Sequence, residues 1–284
     1  MTLPSKVRLY EVGPRDGLQN EKKIIPVDVK VALINRLSET GLTHIEATSF
    51  VSPRFVPQMG DATEVMEKIT RRPGVTYPVL VPNEKGMRAA IKANVTEIAI
   101  FTAASESFTQ KNINCTIAES IERFTPVIKL AQHHHIKVRG YVSCVAGCPY
   151  EGDIAPEKVA AVSKTLFEAG CYEISLGDTI GIGTPDSITA MIEATKENVP
   201  GTHLALHCHA TYGRALENIK AGLEQGITVI DSSVGGLGGC PYAEGSSGNV
   251  ATEDVLQMLN SLGIETGVSL DKILETARYI KEQL

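Results

Sequence analysis

The sequence predicts an α/β fold, a (β/α)8 TIM barrel built as a single domain over residues 1–284, on three observations. About eight short runs rich in β-branched residues recur along the chain, and eight strands close a parallel barrel. Between most of them lie segments whose apolar residues fall three and four apart, the spacing of a helix that packs one face inward. Several of these segments stop at glycine, at Gly41, Gly170 and Gly226, with the next strand a few positions on.

Taken in order, the first run is VRLYEV, which leads into EVGPRDGLQNE. A doubly wound open sheet would announce a nucleotide here with a glycine fingerprint, and proline and charge stand in its place. The helical segment DVKVALINRLSETG follows, then the runs THIEATSF, TYPVLV, EIAIFTAA and KVRGYVSCV. EKVAAVSKTLFEAG supplies the next helix, YEISLGDT and HLALHCHA the sixth and seventh strands, GRALENIKAGLEQG a helix, and ITVIDSSV the eighth strand. GGLGGCPYAEGSSGN is then a Gly-rich active-site loop after strand 8, and VSLDKILETARYIKEQL an additional C-terminal helix. No linker, composition shift or repeat beyond the βα unit divides the chain.

Composition removes several function classes. With 43% hydrophobic residues the chain can bury a large core. Its 27 basic and 33 acidic residues give a net charge of −6 with no basic stripe, so no nucleic acid is expected as a partner. No apolar run approaches the roughly 18 residues of a membrane span, and the first strand begins almost at once, so neither membrane nor targeting peptide is expected. Six cysteines, at 115, 144, 148, 171, 208 and 240, read as reduced thiols in a cytoplasmic protein. The pair in CVAGC lacks the spacing of a zinc knuckle and has no second pair to complete it.

A parallel barrel carries its active site at the C-terminal ends of its strands. The polar residues expected there are Arg15, Asp16 and Gln19 after the first strand, Glu46, Thr48 and Ser49 on the second, and Tyr141 and Ser143 on the fifth. The sixth adds Glu173, Ser175 and Asp178, the seventh His207 and His209, and the eighth Asp231, Ser232 and Ser233. Each alone has an ordinary structural explanation, a turn aspartate for Asp16 or a mouth ion pair for Arg15 with Glu46 and Asp178. Their convergence on one rim favours chemistry. His207 and His209 are two apart on a strand, so both rings leave from one face. With Asp16, and the amide oxygen of Asn249 as a further donor, they make a mixed N/O set suited to Mg²⁺ or Mn²⁺ and able to take Zn²⁺, Co²⁺ or Fe²⁺. The run His133, His134 and His135 looks metal-like but precedes a strand at the opposite end, and is expected to be surface. The glycine-rich loop lacks a P-loop ending and suits a mobile lid carrying Cys240.

The segments EVGPRDGLQNE, GLTHIEATSFVSP, FVPQMGD, KNINC, RGYVSCVAGCPYEG, CYEISLGDTIG, HCHATYG and GGLGGCPYAEGSSGNVATED span nearly the whole chain. Together they resemble the 3-hydroxy-3-methylglutaryl-CoA lyases. The wider metal-dependent barrel family of Claisen-type enzymes, with isopropylmalate and homocitrate synthases, is similar in the first-strand RDG and the seventh-strand HxH. The resemblance implies cleavage of 3-hydroxy-3-methylglutaryl-CoA to acetyl-CoA and acetoacetate with a divalent cation, Mg²⁺ or Mn²⁺, no redox cofactor, and a homodimer. It implies Asp16, His207, His209 and Asn249 as metal ligands, Arg15 at the enolate oxygen and Cys240 in proton transfer. Glu46 and Asp178 match acidic site residues, with Asp16 or a histidine as base. Gln19, Ser49, Tyr141 and Ser175 match polar lining positions, and Lys111 and Asn112 match a region near the CoA moiety. Leucine breakdown and ketone-body supply are contexts such an activity would serve. A related condensing enzyme is the alternative within the family, against which the lid thiol argues, and a catalytically weakened binding barrel is the alternative outside it. The family motif usually reads HxHDT, and this chain has Ala210 at the aspartate position.

Overall fold

The computed structural model describes residues 3–238 and 248–284. Eight parallel strands close into a barrel: β1 (Arg8–Glu11), β2 (His44–Ile45 continuing as Thr48–Ser49), β3 (Val79–Leu80), β4 (Glu97–Ala103), β5 (Lys137–Ser143), β6 (Glu173–Asp178), β7 (Leu204–Cys208) and β8 (Val229–Ser232). The second strand is broken between two neighbours. His44 and Ile45 stand beside Tyr10 and Glu11, whereas Thr48 and Ser49 stand beside Val79 and Leu80. Closure is completed by β1 against β8, with Tyr10 opposite Asp231.

Outside the barrel lie α1 (Val27–Leu37), α2 (Ala62–Lys68), α3 (Glu84–Lys92), α4 (Glu106–Ile113), α5 (Ile117–His133), α6 (Pro156–Ala169), α7 (Pro185–Lys196), α8 (Ala215–Glu224), α9 (Thr252–Ser261) and α10 (Leu270–Lys281). Local chemistry sets their ends. Thr116 and Glu119 form a reciprocal capping box at the start of α5, and Thr184 with Ser187 does the same for α7 ahead of Pro185. Gly170 ends α6 at φ +112°, a left-handed conformation that penalises any residue with a Cβ. The C-terminal segment forms α10 as the sequence predicts, and His133–His135 lie exposed at the floor. No helix among the described residues is long and apolar enough to cross a membrane.

Strand alternation separates two interiors. Outward residues such as Leu9, Ile45, Ile98, Val142, Leu176 and Leu206 join the helices in the main apolar core. Among the described residues, inward side chains form two small apolar groups, Tyr10 with Val12, Ala205 and Val229, and Leu80 with Ala99 and Tyr141. Charge fills much of the remaining interior. The fully buried Arg139 donates to Glu173 at 2.7 Å and, through both terminal nitrogens, to Asp231 at 3.0 and 2.7 Å. It lies 3.9 Å from the centre of the Tyr10 ring.

Candidate active site

The first residues of the site come from a tight turn after β1. The Val12 carbonyl accepts from the amides of Arg15, Asp16 and Gly17 at 3.1, 2.7 and 3.2 Å, so the GPRDG segment coils around one oxygen. The turn lies flush against the segment after β8: a Cβ on Gly17 would come within 2.6 Å of Leu237 Cβ. This coil carries Arg15 and Asp16 over the barrel mouth.

Opposite them, His207 and His209 leave β7 on its inward face, their ring centres 5.2 Å apart. One ligand atom from each of Asp16, His207 and His209 lies within 4.8 Å of the others, the only such metal-capable group of three among the described residues. Asn249 joins them from the segment after β8. Its amide nitrogen donates to Asp16 Oδ2 at 2.8 Å and to the Leu237 carbonyl at 3.1 Å. The two backbones meet here as well, with a bridge between His209 and Asn249 and the Ala210 amide on the Gly248 carbonyl at 2.7 Å.

The electrostatics suit a cation site. Burial by itself would raise the Asp16 carboxyl, but Arg15, His207 and His209 outweigh it and hold it down to about 2, so it is ionised at neutral pH. His209 is pushed down to about 4 by burial and by the neighbouring His207, and stays neutral. Its Nδ1 is buried without a hydrogen-bond partner among the described residues. His207 Nδ1 lies 3.2 Å from Asp231 Oδ2, which also accepts from Ser175 Oγ at 2.7 Å.

Arg15 is the second pole of the site. Its Nε donates to Glu46 at 2.8 Å and one terminal nitrogen donates to Asp16, while the guanidinium lies 5.4 Å from the centre of the Tyr141 ring. Burial works against its charge, and Glu46 and Asp16 more than restore it. Tyr141 Oη donates to Glu46 Oε2 at 3.2 Å, while Glu46 Oε1 has no partner among the described residues. Gln19 reaches Asp16 Oδ1 at 3.4 Å.

The other predicted residues make contacts of their own around this cluster. Asp178 falls on the opposite face of β6 from Glu173 and Ser175. Its Oδ2 accepts the Gly183 amide at 3.0 Å, and burial pushes its carboxyl up to about 6. The ion pairs of Arg15 are with Glu46 and Asp16, and Asp178 serves the β6–α7 turn. Ser49 bridges the Leu80 carbonyl and the Val51 amide. Lys111 and Asn112 are exposed on α4, with the Lys111 ammonium 3.9 Å from the centre of the Tyr150 ring. Cys240 lies outside the described residues.

The sequence reading did not single out Arg139 or Glu11. Arg139 shares strand parity with Tyr141 and sits in the middle of an apolar run, which is the signal that a barrel interior holds a buried charge. Glu11 gave none, because a carboxylate just before a turn reads as solvated.

A family model described as HMGL-like matches residues 6–280. Relatives include a mitochondrial hydroxymethylglutaryl-CoA lyase of Gallus gallus, 61% identical over 98% of this chain and 93% of its own. A cytoplasmic 3-hydroxy-3-methylglutaryl-CoA lyase of Rattus norvegicus is 60% identical over 98% of this chain and 81% of its own. Among solved structures, a hydroxymethylglutaryl-CoA lyase from Pseudomonas aeruginosa superposes with a TM-score of 0.98 at 56% identity, covering 99% of this chain and 94% of that one. One from Acinetobacter baumannii, in complex with coenzyme A and 3-methylmalate, gives 0.93 at 37% identity over 100% and 93%.

Proposed function

The chain belongs to the HMGL-like family, and from that premise we infer that it cleaves 3-hydroxy-3-methylglutaryl-CoA to acetyl-CoA and acetoacetate as a carbon–carbon lyase. The observation that carries the reading onto this chain's own residues is the meeting of Asp16, His207 and His209 beside the Arg15 guanidinium.

The donor set fits a divalent cation: an ionised carboxylate, a neutral imidazole whose buried Nδ1 has no partner among the described residues, a second imidazole and the amide oxygen of Asn249. Asp16, His207, His209 and Asn249 would hold it, with Mg²⁺ or Mn²⁺ preferred by these oxygen and imidazole donors. When bound, such an ion supplies Lewis acidity to the hydroxyl and a neighbouring oxygen of the substrate.

The remaining work falls to side chains. Cleavage removes the proton of the C3 hydroxyl, breaks the C2–C3 bond, and sends its electron pair into the thioester as an enolate while the C3 oxygen becomes the ketone of acetoacetate. Asp16 or a histidine of the cluster takes the hydroxyl proton. Arg15, a buried cation fixed by Glu46 at the barrel mouth, stabilises the enolate oxygen, where a preorganised charge counts most. Glu46 and Tyr141 hold Arg15 in that position. Cys240 returns a proton to the enolate carbon, completing acetyl-CoA. Gln19, Ser49, Ser175 and Asp178 complete the walls and turns of the site, and Lys111 with Asn112 faces the CoA moiety. A cytoplasmic homodimer is the assembly and compartment we assign.

Purified protein given Mg²⁺ or Mn²⁺ and 3-hydroxy-3-methylglutaryl-CoA is expected to release acetoacetate, and a chelator to stop it. Well-folded protein that releases none under these conditions would reject the reading.

A further inference from the structure

Two histidines two residues apart would be expected to play equal parts, and their surroundings differ sharply. His207 Nδ1 faces the Asp231 carboxylate at 3.2 Å, while His209 Nδ1 has no partner among the described residues. Asp231 is itself immobilised. Both of its oxygens accept from Arg139, Ser175 donates to Oδ2 at 2.7 Å, and the whole assembly is buried. Arg139 in turn is fixed by Glu173, which Arg8 also contacts.

A carboxylate paired with a guanidinium can only accept a hydrogen bond. The nitrogen facing it must therefore carry the proton. We propose that Asp231, clamped by Arg139 and Ser175, is a positioning residue that fixes His207 in the Nδ1–H tautomer and so keeps its Nε2 lone pair directed at the mouth. His209 has no such device among the described residues, so the pair is asymmetric: His207 is set before any ligand arrives, and His209 takes its tautomer from what binds.

The clamp spans the barrel. Arg139 comes from β5, Ser175 from β6, His207 from β7 and Asp231 from β8, so four consecutive strands fix one ring. A histidine ligand whose other nitrogen donates to a carboxylate is held in orientation and made more basic, and loss of such a partner lowers metal affinity by about 10- to 100-fold. The consequence for affinity rests on the metal-site reading above; the tautomer itself does not.

The experiment is ¹⁵N-imidazole NMR on the metal-free full chain, with the His207 and His209 signals assigned by substitution. The expected result is a protonated Nδ1 and an unprotonated Nε2 on His207 in the unsubstituted protein. Finding the proton on Nε2 overturns the proposal before any variant is made. Asp231→Leu should release the His207 tautomer without moving the His209 signals, and Asp231→Asn, which keeps an acceptor, should retain it. Mn²⁺ affinity, read by electron paramagnetic resonance, should fall about 10- to 100-fold in Asp231→Leu and less in Asp231→Asn. Ser175→Ala, a gentler change, should weaken Mn²⁺ binding in the same direction if Asp231→Leu does not fold. Equal affinity in Ser175→Ala and the parent, with His207 unshifted, removes Ser175 from the clamp and overturns that part. If His207 shows the expected tautomer and the parent binds no Mn²⁺, the metal-site reading fails and the positioning role stands.

Discussion

His44 is the floor's counterpart to the histidines of the mouth. It stacks on Tyr10 with ring centres 5.5 Å apart, and its Nε2 lies 3.3 Å from Arg8 Nη1 and 3.8 Å from Glu97 Oε2. Burial first, and then the charges of Arg8, Arg139 and Lys137, push it down to about 3. Because that value is below the unfolded one, the contribution to stability is complete above pH 6.5 and is lost as pH falls toward 3. Between pH 6.5 and 5 the loss is ~2 kcal/mol at most, from 1.36 kcal/mol per unit. His44→Gln should therefore flatten the fall of Tm between pH 7 and 5, and an unchanged slope in thermal scans would reject the assignment. At the mouth, Ala210 follows the candidate ligand His209 and donates its amide to the Gly248 carbonyl. Ala210→Asp is expected to tighten Mn²⁺ binding by about tenfold, the lower end of what an outer partner contributes; identical binding isotherms would show the position to be neutral. Residues of this rim were legible in the sequence where strand parity decides, as for His207 and His209, or where a turn follows a strand end, as for Asp16. Asp178 is less legible: it shares the strand end with the site and feels the His207 charge, yet alternation turns one of its carboxylate oxygens onto the Gly183 amide.

At the scale of elements, the segment after β8 is held to the site through Gly238. Its φ is +100°, and a Cβ there would stand 2.7 Å from Asn249 Nδ2, the atom that holds Asp16. Gly238→Ala combines strain of about 1–2 kcal/mol from the left-handed backbone with displacement of the Asn249 amide. The expected result is at least a tenfold loss of kcat/KM with a Tm lowered by only a few degrees, measured side by side; loss of fold alone, with specific activity of the folded fraction intact, would contradict it. The elements themselves were readable because each βα unit announces itself through period and punctuation. The break in β2 was not. Ile45 and Thr48 read as one continuous β-branched run, and only the demand that the strand serve two neighbours staggered by the barrel's tilt parts it.

For the whole molecule the critical joint is where the first unit meets the last. Glu11, on the outer face of β1, accepts the amides of Gly13 and Val234, both at 2.8 Å, and the Thr252 hydroxyl at 2.7 Å. Glu11→Ala leaves two buried amides, Gly13 and Val234, without an acceptor, each costing about 1–3 kcal/mol, and leaves the Thr252 hydroxyl only Ser232 Oγ at 2.9 Å. The variant should lose several kcal/mol in denaturant titrations, and a loss under about 1 kcal/mol would mean that the joint has other support. A count of eight runs foretold closure, but which group locks it depends on three-dimensional adjacency of residues 241 positions apart.

The joining of Asp16 to Asn249, 233 positions later, sets an order in time as well as in space. As the chain emerges from a ribosome, its first strand must wait for the eighth before it has its second neighbour. The four candidate ligands are brought together only at that moment, so no shorter nascent chain can hold a cation at this site. A divalent ion added during synthesis would therefore report finished barrels and nothing earlier.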